Sequence, residues 1–454
     1  MRMNWTIWAT VAFAAIGGTG AAAQTPKATL QVLYSFNSPG SMGSTPLFIA
    51  EVSPGNFMGI AGNGAEIYSV TSTGSYQNLF VFPSIPSGIG AIGLAPALNG
   101  QVYGSAEQSG DTPTFSELFS VALDGTFTAY PYNPSTVGGA DVPVQHPDNH
   151  LYAVLGKYGS ARFARLDYQG NPTFLHTFSA SEGAPYLTFL GATGDFFYGL
   201  SMIGEFVDVG MFRISTEGEF SWIIPSLSPP NGANYGIDLL QAGNGNFYGT
   251  LPNGGSAGLG SIFEATLDGK LRTVYSFPNA NFDNPENLIE ASDGMLYGTA
   301  LGGDTPHHND AYSNIFRVDP SNGQFETVYV FNQGGWPACP CKLVQGTDGR
   351  IYGISYYQNS YGTFFVLDVA LPKPQPSVPF FAPPAGGAGQ QVLLWGRNLL
   401  GATGVSFNGA PASSFTVAST QGIWADVPAG ASTGPITVTT PNGSYTTSQV
   451  FTVQ

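Results

Sequence analysis

Four residues of one short stretch have the chemistry of a metal site. Asp304, His307, His308 and Asp310 place two imidazoles and two carboxylates between Gly302 and Asn314. Such groups suit zinc or a similar divalent cation. Adjacent histidines on a loop do not define a ligand set, so an exposed polar loop is the competing reading. Asp304, Asp310 and the region of Asp283 also offer the hard oxygens that calcium takes, though at no spacing of a known calcium loop. Asp283 and Glu286 are a second candidate group, because paired carboxylates can serve as acid and base in glycoside hydrolysis. Cys339 and Cys341, separated by Pro340, read as a local disulfide or two inert thiols before they read as a catalytic pair. The chain carries no serine elbow, zinc-protease helix pattern or phosphate-binding glycine loop. No cofactor is predicted beyond that divalent metal.

These residues hang on a repeat. The pieces GNFMGI, GQVYGS, NHLYAV, GDFFYGL, GNFYGT, GMLYGT and GRIYGI align Met58, Tyr103, Tyr152, Tyr198, Tyr248, Tyr297 and Tyr352, spaced 45 to 55 residues apart. An apolar run precedes each piece, and an aromatic strand such as EIYSV or IFRVD follows it. A fourth strand of the LRTVYSF type then ends six of the seven units. The seventh copy of that strand, Leu30–Phe36, stands ahead of all of them. Four short strands per unit, repeated, predict a β-propeller. The displaced strand predicts that the last unit is completed from the N-terminus, which ties the ring and removes an open edge. The expected fold is therefore all-β, with seven blades over residues 24–371. Asp293-Gly294, Asp348-Gly349 and Asn244-Gly245 read as two-residue hairpin turns between the first and second strands. Asp124-Gly125 and Asp268-Gly269 read as turns between the third and fourth. The repeated Tyr reads as packing between blades, and its Gly as a point of close backbone approach.

DGMLYGT, GNFYGT and GRIYGI, with the LYSF-type strand, resemble the Gloeo/Verruco (GloVer) tandem-repeat family of exported bacterial proteins. The resemblance covers about Leu30 to Leu371 and is sharpest around Tyr248, Tyr297 and Tyr352. It weakens toward the N-terminus, where Met58 replaces Tyr and Ala153 replaces Gly. It implies a propeller and no particular chemistry. Residues 372–379 form a proline-rich stretch suited to a stiff linker. Beyond it WGRNL, VSFNGAPA, VPAGASTGPITV and a final FTV are similar, in order, to the IPT/TIG immunoglobulin-like domain. That likeness implies a small β-sandwich over residues 380–454, acting as a spacer or accessory binding unit.

Bulk properties narrow the partners. Only 9% of the 454 residues are charged, while Gly numbers 61 and Pro 34, which suits strands and tight turns over helices. The net charge is −16, and the 13 Lys+Arg form no basic run, so neither nucleic acid nor an anionic membrane surface is an expected partner. Arg2, an apolar stretch from Trp5 to Ile16 and Ala21-Ala22-Ala23 read as a signal peptide over residues 1–23. The expected product is exported to the periplasm, cell surface or medium, without membrane insertion after cleavage.

Alternating strand direction puts the loops between second and third strands on one face with the loops between units. They are the long ones: Tyr152 to Phe163 spans 11 residues and Tyr297 to Phe316 spans 19. Propellers bind ligands on such a face. Asp238, Asp283, Glu286, Trp336 and Lys342 are its candidate contacts. The first reading is a non-catalytic protein that contacts a polysaccharide or an extracellular or surface protein. An extracellular carbohydrate lyase or hydrolase is the second reading, and a structural envelope component the third.

Overall fold

The computed structural model describes residues 28–36, 46–62, 64–82, 89–108, 116–131, 141–156, 160–190, 196–203, 208–227, 238–278, 284–300, 313–331, 339–357 and 360–454. All the elements are strands, and no helix among the described residues is long and apolar enough to cross a membrane.

Residues 29–368 form seven four-stranded antiparallel sheets among the described residues. Sheet one is β2 (Phe48–Ser53), β3 (Asn56–Ala61), β4 (Glu66–Thr71) and β5 (Tyr76–Val81). Sheet two is β6 (Ile89–Pro96), β7 (Val102–Gln108), β8 (Ser116–Val121) and β9 (Phe127–Pro131). Sheet three is β10 (Val144–Gln145), β11 (Leu151–Leu155), β12 (Arg162–Leu166) and β13 (Pro172–Thr177). Sheet four is β14 (Ala184–Leu190), β15 (Phe196–Ile203), β16 (Asp208–Ser215) and β17 (Phe220–Ile224). Sheet five is β18 (Asp238–Gln241), β19 (Phe247–Leu251), β20 (Ser261–Ala265) and β21 (Leu271–Ser276). Sheet six is β22 (Pro285–Glu290), β23 (Leu296–Ala300), β24 (Asn314–Val318) and β25 (Phe325–Val330). Sheet seven is β26 (Cys339–Gln345), β27 (Ile351–Tyr357) and β28 (Ser360–Asp368), with β1 (Thr29–Ser35) paired antiparallel to β28. The first strand of each sheet packs on the first strand of the next, and β26 packs on β2, so the series closes on itself.

The recurring sequence has a physical explanation. Tyr103, Tyr152, Tyr248, Tyr297 and Tyr352 are all at least 98% buried. A buried hydroxyl needs a partner, and the turn residue four places earlier supplies it. Tyr352 donates to Asp348 Oδ2 at 2.8 Å, Tyr297 to Asp293 Oδ2 at 3.0 Å and Tyr152 to Asp148 Oδ2 at 2.7 Å. Asn244 and Asn99 instead donate to the hydroxyls of Tyr248 and Tyr103, each at 2.9 Å. The rings cross between sheets: Tyr152 meets Phe197 at 4.6 Å, Tyr198 meets Phe247 at 4.8 Å, and Tyr352 meets Phe57 at 4.5 Å across the closure.

Two readings of the motif change in detail. Ala291 and Met295 pair across the Asp293-Gly294 turn, Gly294 N donates to Ala291 O at 2.9 Å, and only Gly294, at φ +79, is left-handed. This is a longer turn with a glycine bulge rather than a two-residue turn, in which both central residues would be left-handed. The Gly after Tyr, besides facing the inner strand's carbonyl, lies beneath an aromatic ring. A Cβ at Gly249 would stand 2.5 Å from both Phe263 Cζ and the Asp238 carbonyl oxygen. Sheet three, where Ala153 replaces the glycine, sets Ala164 opposite it instead of the aromatic residue.

A second set of contacts joins neighbouring sheets at the far ends of the first strands. Gln145 Oε1 accepts Leu98 N at 3.0 Å and Gln345 Oε1 accepts Ser292 N at 2.9 Å. Glu290 accepts Gly243 N on both oxygens, at 3.0 and 2.8 Å. Glu51 closes the ring, accepting Thr347 N at 2.9 Å and Gly55 N at 2.7 Å. Each side chain reaches back to the tight turn of the preceding sheet, or, for Glu51, to that turn and its own.

The rest of the chain makes two further sheets. One is β29 (Ser377–Ala382), β31 (Gln391–Arg397), β35 (Gly422–Asp426) and β34 (Ser414–Val417). The other is β30 (Ala385–Gly386), β37 (Gly443–Val453), β36 (Gly434–Thr440), β32 (Gly404–Phe407) and β33 (Ala410–Pro411). Val392, Leu394, Phe407, Ile423, Ile436, Val438 and Phe451 form their shared core. β29 starts inside the stretch read as a linker, and the remaining residues of that stretch are held: Ser292 Oγ donates to Pro372 O, and Asn442 Nδ2 donates to Pro374 O at 3.2 Å.

Candidate functional site

The long-loop ends of β18, β22 and β26 bring three of the expected residues onto neighbouring first strands. Asp238 pairs with Thr250 and Lys342 with Ile354, each one place beyond the glycine of the motif. In β22 a bulge between Pro285 and Leu288 shifts the register, so Asn287 takes the corresponding place and Glu286 lies one step nearer the loops. Asp283, Trp336, Asp304, His307, His308 and Asp310 lie outside the described residues. Cys339 and Cys341 lie on β26, and their side chains are likewise outside what is described.

Asp238 is committed to holding this end of the ring together. Its Oδ2 accepts Asn287 Nδ2 and Leu288 N, both at 2.8 Å. Asn287 Oδ1 in turn accepts Leu343 N at 2.8 Å, so one hydrogen-bonded chain crosses sheets five, six and seven. A carboxylate with those duties is a poor general base. Glu286 differs. Burial pushes its carboxyl up to about 7, and no hydrogen bond to its side chain is present among the described residues. It can therefore exchange a proton near neutrality. Tyr186, on β14, has its hydroxyl held up by burial and then by the negative charges of Asp238 and Asp141. Asp141 is anchored at the mouth of sheet three, where its carbonyl accepts Ser105 Oγ at 2.7 Å.

This mouth thus offers a proton-exchanging carboxyl, a lysine, a phenol and a buried amide tie. Asn287, Tyr186 and Asp141 are not singled out by the sequence, although a polar Asn inside the apolar run PENLIE is a signal that could have marked the first. No group of three or more His, Cys, Asp or Glu able to hold a metal occurs among the described residues.

The opposite face is covered. Trp424 Nε1 donates to Leu98 O at 3.1 Å, and Arg397 Nη2 donates to Gln241 O at 2.7 Å. Asn442 Nδ2 donates to Thr347 O at 2.7 Å. Arg397 Nη1 also stands 3.7 Å from Glu290 Oε2. Leu98, Gln241, Glu290 and Thr347 belong to the tight-turn ends of sheets two, five, six and seven. A cavity of about 260 Å³ lies between first-strand residues Ala50, Val344 and Gln345 and the C-terminal residues Asn398, Leu400 and Thr420. The described contacts between the two C-terminal sheets and the ring therefore lie on its tight-turn side.

The Gloeobacter/Verrucomicrobia repeat profile matches residues 139–367. Among solved structures, a streptogramin B lyase is similar with a TM-score of 0.55 and 16% identity, over 75% of this chain and 98% of that one. A selenomethionine-substituted virginiamycin B lyase from Staphylococcus aureus gives 0.54 and 15%, over 75% and 99%. At such identities the likeness is one of fold, and the fold is propeller-like. No curated protein matches the chain in sequence.

Proposed function

The chain belongs to the Gloeobacter/Verrucomicrobia repeat family, and from that premise we propose that it is an exported binding protein whose long-loop face contacts a polysaccharide. In this reading residues 24–371 are a seven-bladed propeller closed by the N-terminal strand. The C-terminal sheets are an immunoglobulin-like domain of the IPT/TIG kind, serving as a fixed base rather than a flexible spacer. The observation that carries the reading is the covered tight-turn face, with Trp424, Arg397 and Asn442 fastened to it. The opposite ends of the first strands carry Tyr186, Glu286 and Lys342, on sheets four, six and seven. Loops presented by a rigid scaffold are where binding residues concentrate.

Glu286 and Lys342 could instead serve proton transfer in an extracellular carbohydrate lyase or hydrolase, and Glu286, near 7, is the observation that favours that second reading. Against it, Asp238 is tied up in structural bonds. The test is depletion of the chain from Gln24 onward by insoluble cellulose, chitin, xylan and peptidoglycan, with soluble products assayed in the same tubes. Depletion by one polymer without product release is the expected result. Product release would replace binding by catalysis, and no depletion by any polymer would replace the polysaccharide by a protein partner.

A further inference from the structure

On the far side of the ring a cleft of about 550 Å³ runs between Leu239–Gly245 of sheet five and the residues Ser377, Pro379, Trp395, Arg397, Asn398 and Gln421. That size falls among small-ligand sites. Leu240 and Pro379 supply its apolar lining, together with the small part of Leu239 and Trp395 that is exposed, 3% and 2%. The rest is rich in groups that donate or accept. Arg397 spends part of its five-donor fork on Gln241 O at 2.7 Å, and its side chain remains 41% exposed. Glu290, adjoining the cleft rather than lining it, stands 3.7 Å from Arg397 and accepts the N–H of the lining residue Gly243. Asn398 donates through Nδ2 to Gln375 O at 2.9 Å, which leaves its Oδ1 as an acceptor. The Gln421 side chain is exposed.

The charges of Arg397 and Glu290 offset each other, so the cleft presents no net field to an ion. An apolar lining beside mixed donors and acceptors matches a molecule with C–H faces and hydroxyl rims. We propose that this junction cleft binds a short neutral oligosaccharide, separately from the long-loop face.

The test is saturation-transfer NMR on the whole chain with cellotriose, laminaritriose and maltotriose, and with trigalacturonate as the charged comparison. Transfer to at least one neutral trisaccharide and not to trigalacturonate is expected. Gln421→Trp, which fills the cleft from an exposed position, should weaken binding at least tenfold. Asn398→Gly is the second variant, because the residue sits at φ +58 where glycine is at ease, and it should weaken binding several-fold. Absence of transfer to every neutral trisaccharide overturns the proposal. So does transfer that both variants leave unchanged, a result that would assign the sugar to the long-loop face and leave that reading standing.

Discussion

Gly298 shows what the motif asks of a single residue. A Cβ there would stand 2.7 Å from the Asn287 carbonyl oxygen and closer still to Phe316 Cζ. Gly298→Ala should cost about 1–3 kcal/mol through overpacking. In a Phe316→Ala background the same change should cost less, because Ala opposite Ala is what sheet three already uses at Ala153 and Ala164. A double-mutant cycle in urea should show that coupling as a deficit of about 0.5–3 kcal/mol from additivity; strict additivity would refute it. Titration gives a second test. Burial lifts both Glu117 and Glu286 from 4.5 to about 7. Between those values the folded chain holds protons that the unfolded chain has released. Their contribution is thus complete below pH 4.5 and lost as the pH rises through 7. Glu117→Gln has no proton to lose, so its stability should change less between pH 5 and pH 8 in paired denaturant melts. The sequence displayed Tyr, Gly and the turn Asp as a unit because all three recur together. It concealed the ring over the glycine, since that phenylalanine stands 12 to 18 residues away across a loop of variable length.

At the scale of elements, strand order and closure were readable because a strand type that occurs six times after the motif occurs once before it. The clasps at the strand ends were not. Glu51, Gln145, Glu290 and Gln345 do the same work with two residue types, one per sheet, within apolar runs that vary otherwise. Glu51 illustrates the energetics. Burial raises its carboxyl, and the bonds from Gly55 and Thr347 oppose that rise. Glu51→Ala strips those donors of their acceptor at the one junction where the chain must close on itself. A loss of about 2 kcal/mol is expected, with faster hydrogen exchange at Gly55 and Thr347 than at Ser292, whose clasp is untouched. Equal exchange at all three would count against a clasp.

For the whole molecule, strands and turns beyond the proline-rich stretch were legible as such, and the docking of the two sheets they form was not. Proline spacing announces a stiff connection, but contacts made by Trp424, Arg397 and Asn442 follow no period. Trp424→Ala should cost about 2–3 kcal/mol and speed proteolysis between 371 and 376. A wild-type cleavage rate would mean that the C-terminal sheets are not fastened to the ring. Trp424, Arg397 and Asn442 fasten the C-terminal sheets to the tight-turn side, so the proposed polysaccharide contact is assigned to the long-loop side. The most direct measurement is polysaccharide depletion by the wild type and by Glu286→Trp, with Phe174→Ala on outer strand β13 as the control. The account predicts that one polymer depletes the wild type and the control alike, and the Glu286→Trp chain at least tenfold less. Equal depletion of all three proteins, or of none, would contradict it.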